Sequence, residues 1–71
     1  MKYLKKLEVA KDKRSIFIND KYEIDTYSGC VYYDPEYTGD RSKDFPQWIF
    51  DFVEKLKFVG IVGKHNEKGQ K

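Results

Sequence analysis

The chain has 71 residues, which fits one small domain, and its single cysteine excludes an intramolecular disulfide. Its 39% hydrophobic and 17% aromatic content indicates a folded chain, and no stretch has the apolar length of a signal peptide or a membrane span. These features predict a cytoplasmic domain with no membrane partner, whose core is so small that self-association would help to stabilise it.

The net charge of +2 is unevenly distributed along the chain. Residues 1–15 carry six basic and two acidic side chains, residues 16–54 carry three and nine, and residues 55–71 carry five and one. Basic ends around an acidic centre are compatible with a nucleic-acid contact, and equally with lysines that are simply solvated.

The first half of the chain predicts four short strands separated by polar turns. Residues 3–10 alternate in character and favour a strand, with a short helix as the open alternative. The later strands are rich in β-branched and aromatic residues, and turns such as Ser28-Gly29 separate them. The predicted strands are residues 3–10, 15–18, 22–27 and 30–33.

The apolar pattern sets the register of the central hairpin. A two-residue loop would pair Ile18 with Lys21 and place charges on the apolar face, whereas a three-residue loop pairs Ile18 with Tyr22. We therefore predict a loop of residues 19–21. The predicted inner face consists of Ile16, Ile18, Tyr22, Ile24 and Thr26, and the predicted outer face of Phe17, Glu23, Asp25 and Tyr27.

Residues 44–61 predict one amphipathic helix. Asp44 and Gln47 have the spacing of a capping box, and Pro46 suits the first turn. Gly60 suits the left-handed conformation that ends a helix, and Ile61 can fold back onto the last turn. The apolar residues recur at three- and four-residue intervals: Phe45, Trp48, Ile49, Phe52, Val53, Leu56 and Val59.

The predicted fold belongs to the α+β class: a four-stranded antiparallel β-meander followed by one C-terminal amphipathic helix packed on the sheet. Residues 1–63 form the single predicted domain. Residues 64–71 are predicted to be a flexible basic tail.

The residues predict no enzyme, no cofactor and no metal site. Cys30 borders a turn and His65 lies in the predicted tail, so they are not expected to form a nucleophile and base; Cys30 is predicted to be a half-buried apolar residue. Asp34, Glu36 and Asp40 share one loop but lack the spacing of a calcium loop.

Many aromatic residues fall outside the predicted core. As a set they indicate a second buried surface, which is a dimer interface, a contact with a protein partner or a platform for stacking bases. For any one of them, packing under the tail or a loop is the alternative. These residues are Phe17, Tyr27, Tyr32, Tyr33, Tyr37, Phe50 and Phe58.

Two short stretches resemble a known family. KYEIDTYS, residues 21–28, is similar to a strand of the single-stranded DNA-binding domain of the transcriptional coactivator positive cofactor four and its small bacterial relatives. PQW, residues 46–48, is similar to the start of that family's helix. The resemblance implies a homodimer in which helices pair and the sheets hold unpaired strands by charge and stacking, with Lys21 and Tyr27 on the binding surface.

Two functional hypotheses follow. The first is a non-enzymatic homodimeric module that binds single-stranded DNA or RNA through phosphate-neutralising and base-stacking side chains: Lys11, Lys13, Arg14, Phe17, Lys21, Tyr27 and Tyr32. The alternative is a protein-interaction module of the phage or mobile-element type that inhibits a host enzyme by binding it. Its predicted contact residues are Tyr33, Asp34, Glu36, Tyr37, Asp40, Phe50 and Phe58.

Overall fold

The computed structural model describes residues 2–41 and 44–63, and it shows an α+β domain. One four-stranded antiparallel sheet with the order β1-β2-β3-β4 is followed by a single helix. The predicted meander and helix are confirmed. The predicted tail, residues 64–71, lies outside the described residues. The elements are β1 (Leu7–Val9), β2 (Ser15–Ile18), β3 (Tyr22–Asp25), β4 (Val31–Tyr33) and α1 (Gln47–Phe58).

The central hairpin has the predicted register. Ile18 pairs with Tyr22 and Ile16 with Ile24, so the loop contains three residues. Its first residue, Asn19, has a positive φ of 56°, a conformation that asparagine tolerates better than most residues. All five predicted inner-face residues of this hairpin are buried, because α1 covers that side of the sheet. The buried core consists of Ile16, Ile18, Tyr22, Ile24, Ile49, Val53, Leu56 and Val62.

Strand β1 is shorter than predicted, because the side chain of Asn19 replaces part of its ladder. The Asn19 Oδ1 atom accepts hydrogen bonds from the backbone N–H groups of Lys5 (2.7 Å) and Lys6 (2.9 Å). The Asn19 Nδ2 atom donates to the carbonyl of Tyr3 at 3.0 Å. Residues 3–6 are therefore fixed beside the hairpin turn without forming strand.

The helix does not cover β1. Leu7 pairs with Ile18 and Val9 with Ile16, which places both side chains on the side of the sheet where the helix lies. Leu7 nevertheless remains 43% exposed and Val9 54% exposed. The core is therefore built on β2, β3 and β4, and β1 is an open edge.

The helix begins later than predicted, and the predicted capping box is wrong. The N-cap is Pro46, with φ −69° and ψ 152°, and no side chain among residues 2–41 and 44–63 makes a capping hydrogen bond there. Phe45 precedes Pro46, and the ring of a proline sterically disfavours the helical backbone conformation in the residue before it. Phe45 instead packs against Tyr22 and Tyr33, at ring-centroid distances of 5.8 and 4.8 Å.

The helix ends in the predicted Schellman motif, but two predicted apolar contacts are wrong, because Ile61 is 50% exposed and Val59 is 63% exposed. Gly60 has φ +83° and donates to the carbonyl of Lys57 (3.1 Å), and Ile61 donates to the carbonyl of Leu56 (2.9 Å). The apolar contact after the turn is made by Val62, which is 3% exposed, while Ile61 faces solvent. The helix therefore stops near residue 58, and the next few residues fold back onto the sheet.

Candidate functional site

A row of four residues crosses the outer face of the sheet, opposite the helix. Glu8 pairs with Phe17, Phe17 with Glu23, and Glu23 with Tyr32, one residue from each strand. Paired residues in adjacent strands point to the same face. The row therefore alternates carboxylate and aromatic side chains across the whole sheet.

An open cavity of about 250 Å³ adjoins this row. Four of its residues carry carboxylates, and Phe17 and Pro35 supply its apolar surface. Like charges gathered around a concave surface create a local negative potential, which favours a cationic ligand or partner. The cavity is lined by Glu8, Phe17, Asp20, Asp34, Pro35 and Glu36.

Hydrogen bonds fix the loop on one side of this cavity. Asp34 follows β4, and its Oδ1 atom accepts from the N–H of Glu36 at 2.9 Å. The guanidinium of Arg41 donates to the carbonyls of Asp34 (3.1 Å) and Pro35 (3.3 Å), and also to that of Tyr37. Arg41 thus bonds to the backbone of its own loop.

Two lysines, Lys6 paired with Asp20 and Lys21 next to Asp20 in the sequence, are engaged within the protein. The Lys6 ammonium forms an ion pair with Asp20 at 3.1 Å. The hydrogen bond to Asp20 and the charge of Asp20 raise the pKa of Lys6 above its ordinary value of 10.5. The Lys21 ammonium lies 5.4 Å from the ring centroids of both Tyr22 and Tyr37. Lys21 is therefore directed towards an aromatic cluster.

Two further carboxylates on the outer face are positioned by short-range hydrogen bonds. Glu23 accepts from the hydroxyl of Ser15, across the strand pair, at 2.8 Å. Asp25 accepts from the backbone N–H of Tyr27 at 2.8 Å. These bonds limit the rotamers of both acids, so the negative charge of the face has a defined geometry.

The basic residues predicted to bind nucleic acid lie in two separate loops. Lys11, Lys13 and Arg14 lie in the loop between β1 and β2, whereas Lys21 lies in the loop between β2 and β3. These loops are at opposite ends of β2, roughly 13 Å apart for a strand of four residues. Phe17 lies between them.

The stacking residues of the first hypothesis lie among charged side chains. Phe17 is flanked across the sheet by Glu8 and Glu23, and Tyr32 by Glu23. The guanidinium of Arg14 lies over the ring of Tyr27, at 4.8 Å from its centroid. Carboxylates are therefore the cross-strand neighbours of both rings.

The residues predicted to bind a protein fall into three groups. Asp34 and Glu36 line the cavity, and Asp40 lies further along the same loop. Tyr33 and Tyr37 stack on each other at 5.7 Å between centroids and are half-buried, so they support the loop from inside.

The third group lies on the helix, away from the cavity. Phe58 is 92% exposed, as predicted for the helix side that faces away from the sheet. Phe50 is exposed more moderately, and its ring meets Phe45 edge on at 6.2 Å.

Glu8 and Asp20 are cavity residues that the sequence reasoning did not select. Each appears in the sequence as an isolated acid in a strand or turn, far along the chain from Asp34. Glu8 lies between Leu7 and Val9, so its side chain points to the opposite face of the strand. This alternation was the available signal that Glu8 faces away from the helix.

Tyr32 ends the row near the single cysteine. A hydrogen bond to Cys30, then the charge of Cys30, burial and the charges of Asp25 and Glu23 raise the pKa of Tyr32 above 10.0. Cys30 is exposed and precedes β4, so its predicted half-buried position is wrong. The reason is that the turn before β4 directs it outward.

No family model, curated protein or solved structure matches the chain. The function of the surface is therefore inferred from its own geometry. The resemblance to positive cofactor four, and the helix-paired homodimer that it implies, therefore remain predictions. Within residues 2–41 and 44–63, no group of three or more metal-ligating side chains is arranged to hold a metal ion. The helix of this described part is too short and too polar to cross a membrane.

Proposed function

We propose that the protein is a small protein-interaction module whose acidic outer sheet face binds a basic surface of another protein. If the partner protein needs that basic surface for its own activity, binding of this module inhibits the partner. The observation that supports this proposal is the row of alternating carboxylates and aromatic rings across the four strands, which continues into the acidic cavity.

The chemistry of the row suits lysine and arginine side chains. Carboxylates pair with both cations, and arginine also stacks on aromatic rings. Aromatic anchors surrounded by charge are typical of protein interfaces, where the rings supply binding energy and the charges supply specificity and association rate. Phe17, half-buried between two acids, is the central anchor of the proposed surface.

The same charges weaken the case for nucleic acid. Single-stranded nucleic-acid platforms combine aromatic rings with cations that follow the phosphate backbone. Here the rings of Phe17 and Tyr32 are flanked by acids, and the cations lie in loops at the two ends of β2. Binding of a basic protein requires no such cations, so it is the better match to the observed face.

The proposal is tested with two fluorescent probes, an arginine-rich peptide and a single-stranded oligonucleotide, at low and moderate salt. We expect salt-sensitive binding of the peptide and none of the oligonucleotide. The double variant Asp20→Asn/Glu36→Lys should weaken peptide binding about tenfold, because it removes two negative charges from the cavity wall and adds one positive charge. Asn at position 20 retains a residue that tolerates the positive φ found there.

The matched control is Asp51→Asn/Glu54→Lys, which makes the same change in charge on the exposed side of the helix. It should leave peptide binding unchanged. Equal weakening by both double variants would show that only net charge matters, and would contradict the proposed surface. Salt-sensitive binding of the oligonucleotide that is lost in Lys13→Ala and Lys21→Ala would instead favour the nucleic-acid hypothesis.

A further inference from the structure

The two edges of the sheet differ in how their side chains are covered. At the β4 edge, Val31 and Tyr33 are partly buried against the core. At the β1 edge, Leu7 and Val9 project to the helix side but remain about half exposed. The uncovered apolar side chains on the helix side of the sheet thus include both inward-facing residues of β1.

The backbone of the β1 edge is also open. The N–H of Ala10 and the carbonyl of Lys6 both bond to the chain of the first hairpin, each at 2.9 Å. Such bonds recur at every second residue of an antiparallel pair. Leu7 and Val9, which alternate with these residues, therefore direct their N–H and C=O groups outward, where another strand can pair with them.

The charges on either side of Leu7 indicate which strand can pair with β1. Lys6, the residue before β1, and Glu8 flank Leu7 on the outer face. A two-fold axis between two Leu7 residues therefore brings each Lys6 opposite the Glu8 of a second copy. A register centred on Glu8 would oppose two carboxylates, and one centred on Val9 would pair Glu8 with Ala10. The sequence of β1 is thus complementary to itself in one antiparallel register.

We infer that β1 pairs with β1 of a second copy about Leu7, which joins two four-stranded sheets into one continuous sheet. The Lys6 ammonium has three donors, so it reaches Glu8 of the second copy while it keeps Asp20. This dimer differs from the helix-paired one that the family resemblance implies.

The paired strands are short, so the dimer belongs with small interfaces that bury less than about 1,200 Å². The experiment is therefore sedimentation equilibrium over a wide range of concentrations, with no partner protein present. The wild type should associate to a dimer. Lys6→Glu and Glu8→Lys should each be monomeric over the same range, with dissociation constants raised at least tenfold, because each variant opposes like charges twice.

The equimolar mixture of the two variants is the decisive sample. In a mixed dimer every cross-strand pair is attractive, since the variant with two acids meets the variant with two lysines. The mixture should therefore dimerise although neither component does. Lys13→Glu, which changes the net charge as much as Lys6→Glu but lies beyond the paired residues, should dimerise like the wild type. A monomeric wild type, dimeric single variants or a monomeric mixture would each overturn the inference.

Amide hydrogen exchange reports the strand that pairs. As the protein concentration rises, exchange at Leu7 and Val9 should slow, because their N–H groups become bonded only in the dimer. The N–H of Glu8 already faces β2 and should change little. A dimer that leaves the exchange of Leu7 and Val9 unchanged uses another surface and overturns the inference. Both readouts are independent of whether the outer face binds a basic protein.

Discussion

The ring of Trp48 meets the buried ring of Tyr22 edge on, with 5.9 Å between their centroids. Its other side stacks on Tyr3 at 5.6 Å. Through these contacts the first turn of the helix is fixed over the central hairpin, and the segment before β1 is attached to both. The next residue, Ile49, has no exposed surface and lies at the centre of the core.

Replacing Ile49 by Ala should lower the free energy of unfolding by about 2–5 kcal/mol, because a buried side chain is lost and a cavity remains. That is a large part of the stability of a domain this small. Urea unfolding followed by Trp48 fluorescence measures the change. Phe58→Ala, at a nearly fully exposed position, should stay within about 0.5 kcal/mol of the wild type. Similar losses in both variants would contradict the described core.

Asn19→Gly should lower the free energy of unfolding by about 1–3 kcal/mol. The substitution keeps a residue that accepts φ of 56° but removes three hydrogen bonds to residues 3–6. Asp20→Gly is the control, because its φ of 55° is matched and only an exposed ion pair is lost, worth about 0–1 kcal/mol. Equal effects would mean that the Asn19 side chain does not stabilise the segment.

Alanine substitutions at Gly29 and Gly60 distinguish the cost of backbone strain from the cost of a steric clash. Gly29 and Gly60 have φ of +80° and +83°, so alanine is strained at both by about 1–2 kcal/mol. A Cβ at Gly60 would meet nothing within 4 Å, whereas at Gly29 it would lie 3.2 Å from the buried Val62. Gly29→Ala should therefore destabilise more than Gly60→Ala in urea unfolding. The reverse order would argue against the packing of Val62 under the β3–β4 turn.

Cys30→Ala should lower the pKa of Tyr32 towards 10.0, because it removes the hydrogen bond and the charge that raise it most. A spectrophotometric tyrosine titration measures this, with Tyr32→Phe to identify the signal. A raised folded-state pKa contributes stability that is fully present below the unfolded pKa of 10.0 and is lost as pH rises through the folded value. The wild type should therefore lose stability above pH 10 more steeply than Cys30→Ala.

The register of the hairpin was predictable because only one loop length keeps Ile16, Ile18, Tyr22 and Ile24 on the same face. The end of the helix was predictable for a similar local reason, since Gly60 accepts the required left-handed conformation. The helix start was not, because Phe45 is held by rings from two strands and the capping spacing carries no information about that contact.

The candidate surface was only partly predictable. The acids of the loop after β4 were recognisable as a cluster in the sequence, but their assembly with Glu8 and Asp20 depends on contacts between strands that are distant along the chain. The sequence also overstated the number of free aromatic rings. In the sequence, Tyr33 and Tyr37 are indistinguishable from Tyr32 as candidates for exposed rings. Their inward stacking on each other is visible only in the structure.

The amide of Asn19 has a mechanical consequence. Tension applied at the N-terminal end of the described chain acts first on the stacking of Tyr3 on Trp48 and on the three bonds that the Asn19 side chain makes to residues 3–6. Beyond them, β1 offers only three residues, whose ladder bonds to β2 are loaded one after another. The sheet should therefore peel from this corner under low force, while β2, β3 and the helix that covers them remain folded.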